Sequence, residues 1–177
     1  GDKINSYVEN DEKDGKGYYA KTKGLGEIND NTNLTLRTSV IGPELKTDGR
    51  GLFHWFMSQQ KSIEGYTKAI WSGVTTTELA RAIQWSINNE ITGLYHITNG
   101  YSTSKNDLLK LFKKYTKKDI RINAVDGECL DKSLIDTRLL LDYKIPSYEK
   151  MISYMVDEIA SSKGLYLQYN LRPTSEK

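Results

Sequence analysis

Residues 69–98, AIWSGVTTTELARAIQWSINNEITGLYHIT, decide the class of fold because they predict a strand, a helix and a second strand in that order. Thr75 and Glu78 have the spacing of a capping box, which starts a helix. Apolar residues then recur every four positions as far as Asn88, so the helix has one apolar face. The run at 93–98 is rich in β-forming residues and predicts the second strand.

The same signals continue on both sides of this unit. A polar loop is predicted over 1–17, and a second capping box, Ser104 with Asp107, precedes another apolar helical stripe. Further helices are predicted over 18–28, 52–60 and 147–160, and further strands over 34–41 and 120–125. Strands that alternate with helices predict an α/β fold with mostly parallel pairing.

Composition excludes several classes of protein. The 177 residues carry 25 Lys+Arg and 23 Asp+Glu, a net charge of +2, which does not favour a nucleic-acid partner. No apolar run reaches the roughly 18 residues of a membrane span, so no membrane partner is expected. The single cysteine, Cys129, excludes an internal disulfide and fits a cytoplasmic location. Neither His54 nor His96 has a second ligand at metal-binding spacing, so no metal site is predicted.

The segment Tyr19-Ala-Lys-Thr-Lys23 sets a tyrosine and a lysine four residues apart. On a helix these two side chains share a face. A nearby ammonium favours the phenolate form of a tyrosine, which suits proton donation to a carbonyl oxygen. The alternative is a solvated helix surface, and a second pair, Tyr101 with Lys105, shows that the spacing alone is weak evidence.

A loop at residues 132–138 holds a second cluster of polar side chains. Lys132 and Ser133 offer a cation and a hydroxyl that can bind a diphosphate or a sugar, with Asp136 and Arg138 close behind. On chemistry alone an ordinary salt-bridged turn is the favoured interpretation of this cluster.

Taken together, the chain resembles the extended short-chain dehydrogenase/reductase family, in the branch of the dTDP-4-dehydrorhamnose reductases. The resemblance covers residues 1 to about 152 and lies in the order of its motifs. These are YVEND at 7–11, YAKTKGLGE at 19–27, LRTSVIGPEL at 36–45, RGLFHWF at 50–56, SGVT at 72–75 with ELA at 78–80, GLYH at 93–96, Ser104 with DLL at 107–109, and KSL at 132–134 with Asp136.

The resemblance implies a C-terminal part of a Rossmann-type parallel sheet plus a small α/β substrate-binding domain. The implied division is 1–45 for the tail of the dinucleotide-binding domain, 46–162 for most of the substrate-binding domain, and a mobile tail over 163–177. Members of the family carry a Gly-rich dinucleotide loop and a catalytic Ser or Thr ahead of the Tyr-Lys helix. Both are expected to lie outside this chain, which would then be the C-terminal half.

The same resemblance implies roles for individual residues. Tyr19 is expected to be the general acid, and Lys23 its electrostatic partner and a ligand of the cofactor ribose. The implied cofactor is NADP or NAD. The remaining implied residues are Thr38 and Ser39 for the cofactor, and Val40, Arg50, Lys132, Ser133 and Arg138 for the substrate.

The expected function is therefore the NAD(P)-dependent reduction of a 4-keto nucleotide sugar for polysaccharide biosynthesis, by a homodimer. This activity is expected of the full-length protein, and the 177-residue chain alone is expected to be inactive. Val40 stands where these reductases usually have Trp, and Leu52-Phe53 where they have Asn-Phe, so the particular nucleotide sugar stays open. Two alternatives also stay open. One is an epimerase or dehydratase of the same family, and the other is a non-catalytic binding or regulatory module.

Overall fold

The computed structural model describes residues 6–138, 142–162 and 164–171. The helices within these ranges are α1 (Tyr18–Leu25), α2 (Leu52–Ser58), α3 (Thr76–Asn88), α4 (Lys105–Thr116) and α5 (Tyr148–Ser161), and a 3-10 turn covers Leu167–Tyr169. The strands are β1 (Leu34–Arg37), β2 (Val40–Ile41), β3 (Ser62–Tyr66), β4 (Ala69–Trp71), β5 (Val74–Thr75), β6 (Gly93–His96), β7 (Thr103–Ser104), β8 (Arg121–Val125) and β9 (Leu130–Asp131).

The strands form small and mostly parallel groups, which confirms the predicted α/β class. β1 pairs with β6, β2 with β5, and β3 with β8, each in parallel. β4 lies between β9, to which it is parallel, and β7, to which it is antiparallel. Parallel pairs of this kind need long crossover connections, and α3 connects β5 to β6, which belong to two different pairs.

Both predicted capping boxes are present. The Thr75 hydroxyl accepts a hydrogen bond from the Glu78 amide at 3.3 Å, and the Ser104 hydroxyl accepts one from the Asp107 amide at 3.1 Å. Each satisfies an amide in the first turn that has no partner within its own helix. The starts of α3 and α4 are therefore fixed by local sequence.

The predicted strand over 34–41 is wrong in one respect, because the structure divides it at Thr38 and Ser39. β1 pairs with β6, whereas β2 changes partner and pairs with β5. The Ser39 carbonyl accepts a hydrogen bond from the Val74 amide, and a Cβ on Gly73 would lie only 2.0 Å from that carbonyl oxygen. This close approach of two backbones turns the chain between β1 and β2.

The strand β3 was missed by the sequence analysis. Its buried positions are Ile63 and Gly65, while Ser62, Glu64 and Tyr66 are exposed. One of the two buried positions is a glycine, which has no side chain. Only Ile63 therefore remains to show the alternation of apolar and polar residues that marks a half-buried strand. The Gly65 backbone packs against α4, where a Cβ would lie 2.6 Å from the amide oxygen of Asn106.

The main core lies between α2, α4, α5 and the β3–β8 pair. Its fully buried members include Phe53, Phe56, Leu108, Phe112 and Ile152. Phe53 packs edge-on against Phe112 with ring centroids 5.2 Å apart. A smaller cluster of Val74, Ala82, Ile97 and Met151 joins α3 to α5.

Within the expected mobile tail over 163–177 the structure describes residues 164–171, and the mobility itself stays a prediction. Tyr169 is buried and belongs to the main core, because its ring covers Phe53 at a centroid distance of 5.4 Å. Residue 163 and residues 172–177 lie outside the described residues. The domain division at residues 45 and 162 stays a prediction.

Candidate functional site

The two candidate catalytic side chains lie one turn apart on α1. The Lys23 ammonium is 5.9 Å from the centroid of the Tyr19 ring, so both occupy one face of the helix. Tyr19 is 78% exposed, and no residue of α1 is buried in the described structure. The phenol and the ammonium are therefore both open to a ligand.

Since α1 buries no apolar side chain, polar contacts fasten it to the rest of the molecule. The Lys13 ammonium donates to the Gly24 carbonyl at 2.8 Å and pairs with the Glu27 carboxylate at 2.8 Å. Arg37 of β1 donates to both oxygens of the same carboxylate, at 2.8 and 2.7 Å. Burial would raise the pKa of Glu27, but the hydrogen bonds from Arg37 and Lys13 outweigh it and lower that pKa. The ionised side chain of Glu27 therefore connects the end of α1 to β1.

A buried carboxylate, Glu9, fastens the loop that precedes α1. The Thr137 hydroxyl donates to it at 2.6 Å, and the backbone amides of Thr137 and His96 donate at 3.2 Å. Burial acts to raise the pKa of Glu9, but the hydrogen bonds from Thr137 prevail and set it at about 2. Arg37 completes the attachment by donating to the Glu9 carbonyl at 3.1 Å.

His96, at the end of β6, is neutral and has one assigned tautomer. Its Nε2 lies 3.4 Å from Arg37 Nη1, and a guanidinium can only donate, so Nε2 accepts. Nδ1 therefore carries the proton and donates to the Ile135 carbonyl at 2.9 Å. Burial lowers the pKa of His96 and keeps the ring uncharged. We infer that the His96 side chain supports the structure of the site.

A cavity of about 240 Å³ lies beneath α1. Lys23, Ala20 and Gly24 of the helix line one side, and Arg37 and His96 line the other. The cavity brings the predicted cofactor ligand Lys23 close to the buried polar network. Tyr19 is not part of its wall.

The residues predicted to bind the cofactor beyond Lys23 follow the end of β1. The Thr38 hydroxyl donates to the Ile97 carbonyl at 2.7 Å, and the Ser39 carbonyl holds Val74. Val40 is 43% exposed and starts β2. The carboxyl end of a parallel strand is where open α/β sheets bind ligands, so the position of these residues fits their predicted roles, which stay predictions.

The predicted substrate residues fall into exposed and buried members. Arg50 and Lys132 are exposed. Ser133 is buried, and its hydroxyl donates to Asp131 Oδ1 at 2.6 Å and lies 2.8 Å from the Ser6 hydroxyl. The Arg138 guanidinium lies over the Tyr95 ring at 5.9 Å. Ser133 is thus engaged within the protein, whereas the cations remain accessible or half-buried.

The sequence analysis gave no sign that residues 131–138 lie beside residues 6–10. The Tyr7 amide donates to the Ser133 carbonyl at 2.8 Å, and the Ile135 amide donates to the Tyr7 carbonyl at 2.9 Å. Nearly the whole described chain separates these two segments, so no local pattern could pair them. This contact brings Lys132 and Arg138 to the side of the fold that holds the Glu9 loop.

A second surface, which we name the aromatic groove, was also missed. One cavity of about 190 Å³ is lined by Leu52, Trp55, Glu64, Tyr66, Lys105 and Leu109. An adjoining cavity of about 400 Å³ shares Tyr66 and Lys105 and adds Ala69, Gly127, Glu128 and Leu130. Trp55 and Tyr66 are each about 40% exposed. The groove combines aromatic walls with one cation, Lys105, and two carboxylates, Glu64 and Glu128, and its residues come from five elements and a loop.

Two negative findings concern the described ranges alone. Within 6–138, 142–162 and 164–171, no helix has both the length and the apolar character that crossing a bilayer requires. The same ranges bring together no group of three potential metal-binding side chains.

No protein-family model matches the sequence, and no curated protein is similar to it. Solved structures do match. A dTDP-4-dehydrorhamnose reductase from Clostridium acetobutylicum superposes with a TM-score of 0.69 at 17% identity, over 89% of this chain and 61% of that chain. One from Bacillus anthracis in complex with NADP gives 0.62 at 20% identity, over 77% and 51%. A UDP-glucose 4-epimerase from Thermotoga maritima gives 0.51 at 22% identity, over 69% and 44%.

These likenesses define the fold. The chain shares its α/β fold with solved dTDP-4-dehydrorhamnose reductases and with a UDP-glucose 4-epimerase, as the order of its motifs predicted. The chain spans about half to three fifths of the length of those reductases.

Proposed function

We propose that this chain forms the substrate side of an NAD(P)-dependent reductase of a 4-keto nucleotide sugar. The observation that carries the proposal is the placement of Lys23 beside Tyr19 on an exposed face of α1. The shared fold supports it, because one of the similar structures is a dTDP-4-dehydrorhamnose reductase in complex with NADP.

Tyr19 and Lys23 supply the protonation half of such a reaction. A bound nicotinamide supplies the hydride that reduces the carbonyl carbon. The Tyr19 hydroxyl donates its proton to the carbonyl oxygen, so the ketone becomes an alcohol and the tyrosine a phenolate. The Lys23 ammonium stabilises that phenolate until a proton from solvent restores the hydroxyl.

The residues at hand fit a nicotinamide cofactor. Lys23 presents an exposed ammonium that can donate to the hydroxyls of a ribose. Thr38 and Ser39 lie at the end of β1, where a ligand meets the sheet. Among the described residues these three are our candidates for holding the nicotinamide side of the cofactor.

The lining of the aromatic groove favours a substrate that contains a nucleotide. Trp55 and Tyr66 offer ring faces on which a base can stack, and Lys105 offers a point charge for a diphosphate. Binding sites for small molecules are usually concave and apolar with a few placed polar groups, which describes this groove.

The test is calorimetric binding of dTDP and UDP to the chain and to two single variants. Lys105→Ala removes the cation of the groove, whereas Lys113→Ala removes an exposed lysine from the same helix. We expect Lys105→Ala to weaken binding about tenfold and Lys113→Ala to leave it unchanged. Equal effects of the two variants, or no binding of either nucleotide, would contradict the assignment of the groove.

An epimerase is the second candidate, because a UDP-glucose 4-epimerase shares the fold and the same Tyr-Lys pair can serve that chemistry. The two activities differ in how much NADPH they consume. A reductase consumes one NADPH for each sugar, whereas an epimerase consumes none overall. Measuring NADPH consumption against product formed separates them. A non-catalytic binding module would show nucleotide binding and neither conversion.

A further inference from the structure

The segment 164–171 follows α5 and lies against α2 and the loop that precedes α2. Its 3-10 turn, Leu167–Tyr169, places Tyr169 against α2, with the ring edge-on to Phe53 and to His54. Tyr169 is only 4% exposed. The surrounding residues of the turn are mostly exposed, so the burial of this one side chain anchors the segment.

The buried hydroxyl of Tyr169 contacts the loop that contains Glu44 and also His54 of α2. It accepts a hydrogen bond from the Glu44 amide at 2.9 Å and lies 2.9 Å from His54 Nδ1. The neighbouring Gln168 side chain donates to the Glu44 carbonyl at 2.6 Å. Both backbone groups of Glu44 are therefore held by side chains from the far end of the described chain.

The Glu44 carboxylate connects these contacts to the start of α2. The carboxylate accepts a hydrogen bond from the Gly51 amide, at the residue that caps α2. It crosses the loop so closely that a Cβ on Gly49 would lie 2.6 Å from it. Arg50 lies between these two glycines, so the path of the loop sets where Arg50 emerges.

The same contacts set the start of α2, which lines the aromatic groove. Leu52 follows Gly51 directly, and Trp55 lies one turn further on. Both the exposed cation Arg50 and one wall of the groove are therefore connected to Tyr169 through Glu44.

We propose that Tyr169 is a positioning residue, and that segment 164–171 is a strap that holds the loop 43–51 in the conformation that binds a nucleotide sugar. The role in binding rests on the proposed function. The role in ordering the loop rests on the hydrogen bonds from Tyr169 and Gln168 to Glu44 alone.

Hydrogen exchange at the Glu44 and Gly51 amides tests the ordering role without any ligand. Tyr169→Phe keeps the ring and removes the hydroxyl, and Tyr166→Phe is the matched control, because the described structure gives the Tyr166 hydroxyl no hydrogen bond. We expect exchange about tenfold faster in Tyr169→Phe and unchanged in Tyr166→Phe. Unchanged exchange in Tyr169→Phe would overturn the strap. Gln168→Ala, at an exposed position, provides a second variant that should accelerate exchange about threefold.

Binding of dTDP, measured by calorimetry on the same proteins, tests the positioning role. We expect Tyr169→Phe to raise the Kd about fivefold and Tyr166→Phe to leave it unchanged. Faster exchange with an unchanged Kd would overturn the role in binding. If the unaltered chain bound no dTDP, the proposed function would fail, while the exchange rates would still decide whether Tyr169 orders the loop.

Discussion

The Lys23 ammonium lies 5.9 Å from the centre of the Tyr19 ring, across one turn of an exposed helix. The two side chains therefore lie next to one another on one face of α1. The helix itself contributes no apolar burial, and its position depends on Lys13, Glu27 and Arg37. The geometry of the candidate site thus depends on a polar attachment.

The first prediction concerns the proton donor. In the full-length protein, Tyr19→Phe should lower turnover about 10²–10⁴-fold with NADPH and a 4-keto nucleotide sugar, because it removes the general acid and leaves the ring. Cofactor binding should survive. Tyr18→Phe is the matched control, since Tyr18 is the neighbouring and even more exposed tyrosine. Steady-state NADPH oxidation measures both variants, and equal rates for Tyr19→Phe and Tyr18→Phe would show that another group delivers the proton.

How far the sequence predicts this molecule depends on how local each signal is. The starts of α3 and α4 follow from Thr75 and Ser104, whose hydroxyls act within three residues. The break after β1 does not follow, because it requires the approach of Gly73 to Ser39 from another part of the chain.

The candidate site divides in the same way. Tyr19 and Lys23 could be identified because residues four positions apart on a helix lie on the same face. The support from Glu9 to Thr137 spans 128 positions, and the aromatic groove joins residues of five elements and a loop. Such pairings depend on the completed fold, so a single sequence without relatives gives no signal for them.

The second prediction concerns the attachment of α1. Glu27→Gln should lower the free energy of unfolding by about 1–2 kcal/mol, because it leaves the half-buried Arg37 without its carboxylate partner. Asp126→Asn is the control, because it breaks the exposed pair with Lys68 and should cost less stability than Glu27→Gln does. Chemical unfolding followed by tryptophan fluorescence compares the two. Equal losses would mean that the Glu27 pair is no more than a surface contact.

A third prediction concerns substrate affinity. Lys132 is exposed, and the described residues give it no ion pair with Asp131 or Asp136, whose Oδ1 atoms accept from Ser133 and Arg138. Lys132→Ala should therefore raise the KM for the nucleotide sugar about tenfold and spare kcat, because a contact made equally in ground and transition states changes binding alone. Kinetics and the Tm of the variant measure this. An unchanged KM would remove Lys132 from the site.

A fourth prediction concerns association through α1. Tyr18 and Leu25 are 91% and 86% exposed, and exposed apolar side chains on one element favour contact with a second copy. We expect a homodimer, and Leu25→Lys should weaken it. Light scattering across a range of concentrations gives the mass of each protein. A monomer at every concentration would contradict the prediction.

The carboxyls of Glu9, which is buried, and of Asp136, which is half-buried, respond to acid with opposite sign. The hydrogen bonds from Thr137 overcome burial and hold the pKa of Glu9 at about 2. Burial, together with the adjacent Glu9, raises the pKa of Asp136 above its usual range. Acid therefore removes a stabilising charge at Glu9, whereas at Asp136 it removes a charge that the fold disfavours.

The fifth prediction follows from these signs. Glu9 contributes its stability in full above its ordinary pKa of 4.5, and this contribution is lost as the pH falls towards about 2. Glu9→Gln should lower the free energy of unfolding at pH 7 by about 2–3 kcal/mol and flatten its decline in acid. Asp136→Asn should keep or raise stability at pH 7 and make the decline in acid steeper, because the opposing contribution of Asp136 is gone. Urea unfolding of both variants at pH 7 and at about pH 3 measures the slopes. Parallel pH profiles for the two variants would show that the carboxyls do not oppose one another, and the assignment of Glu9 as the charged anchor of its loop would fail.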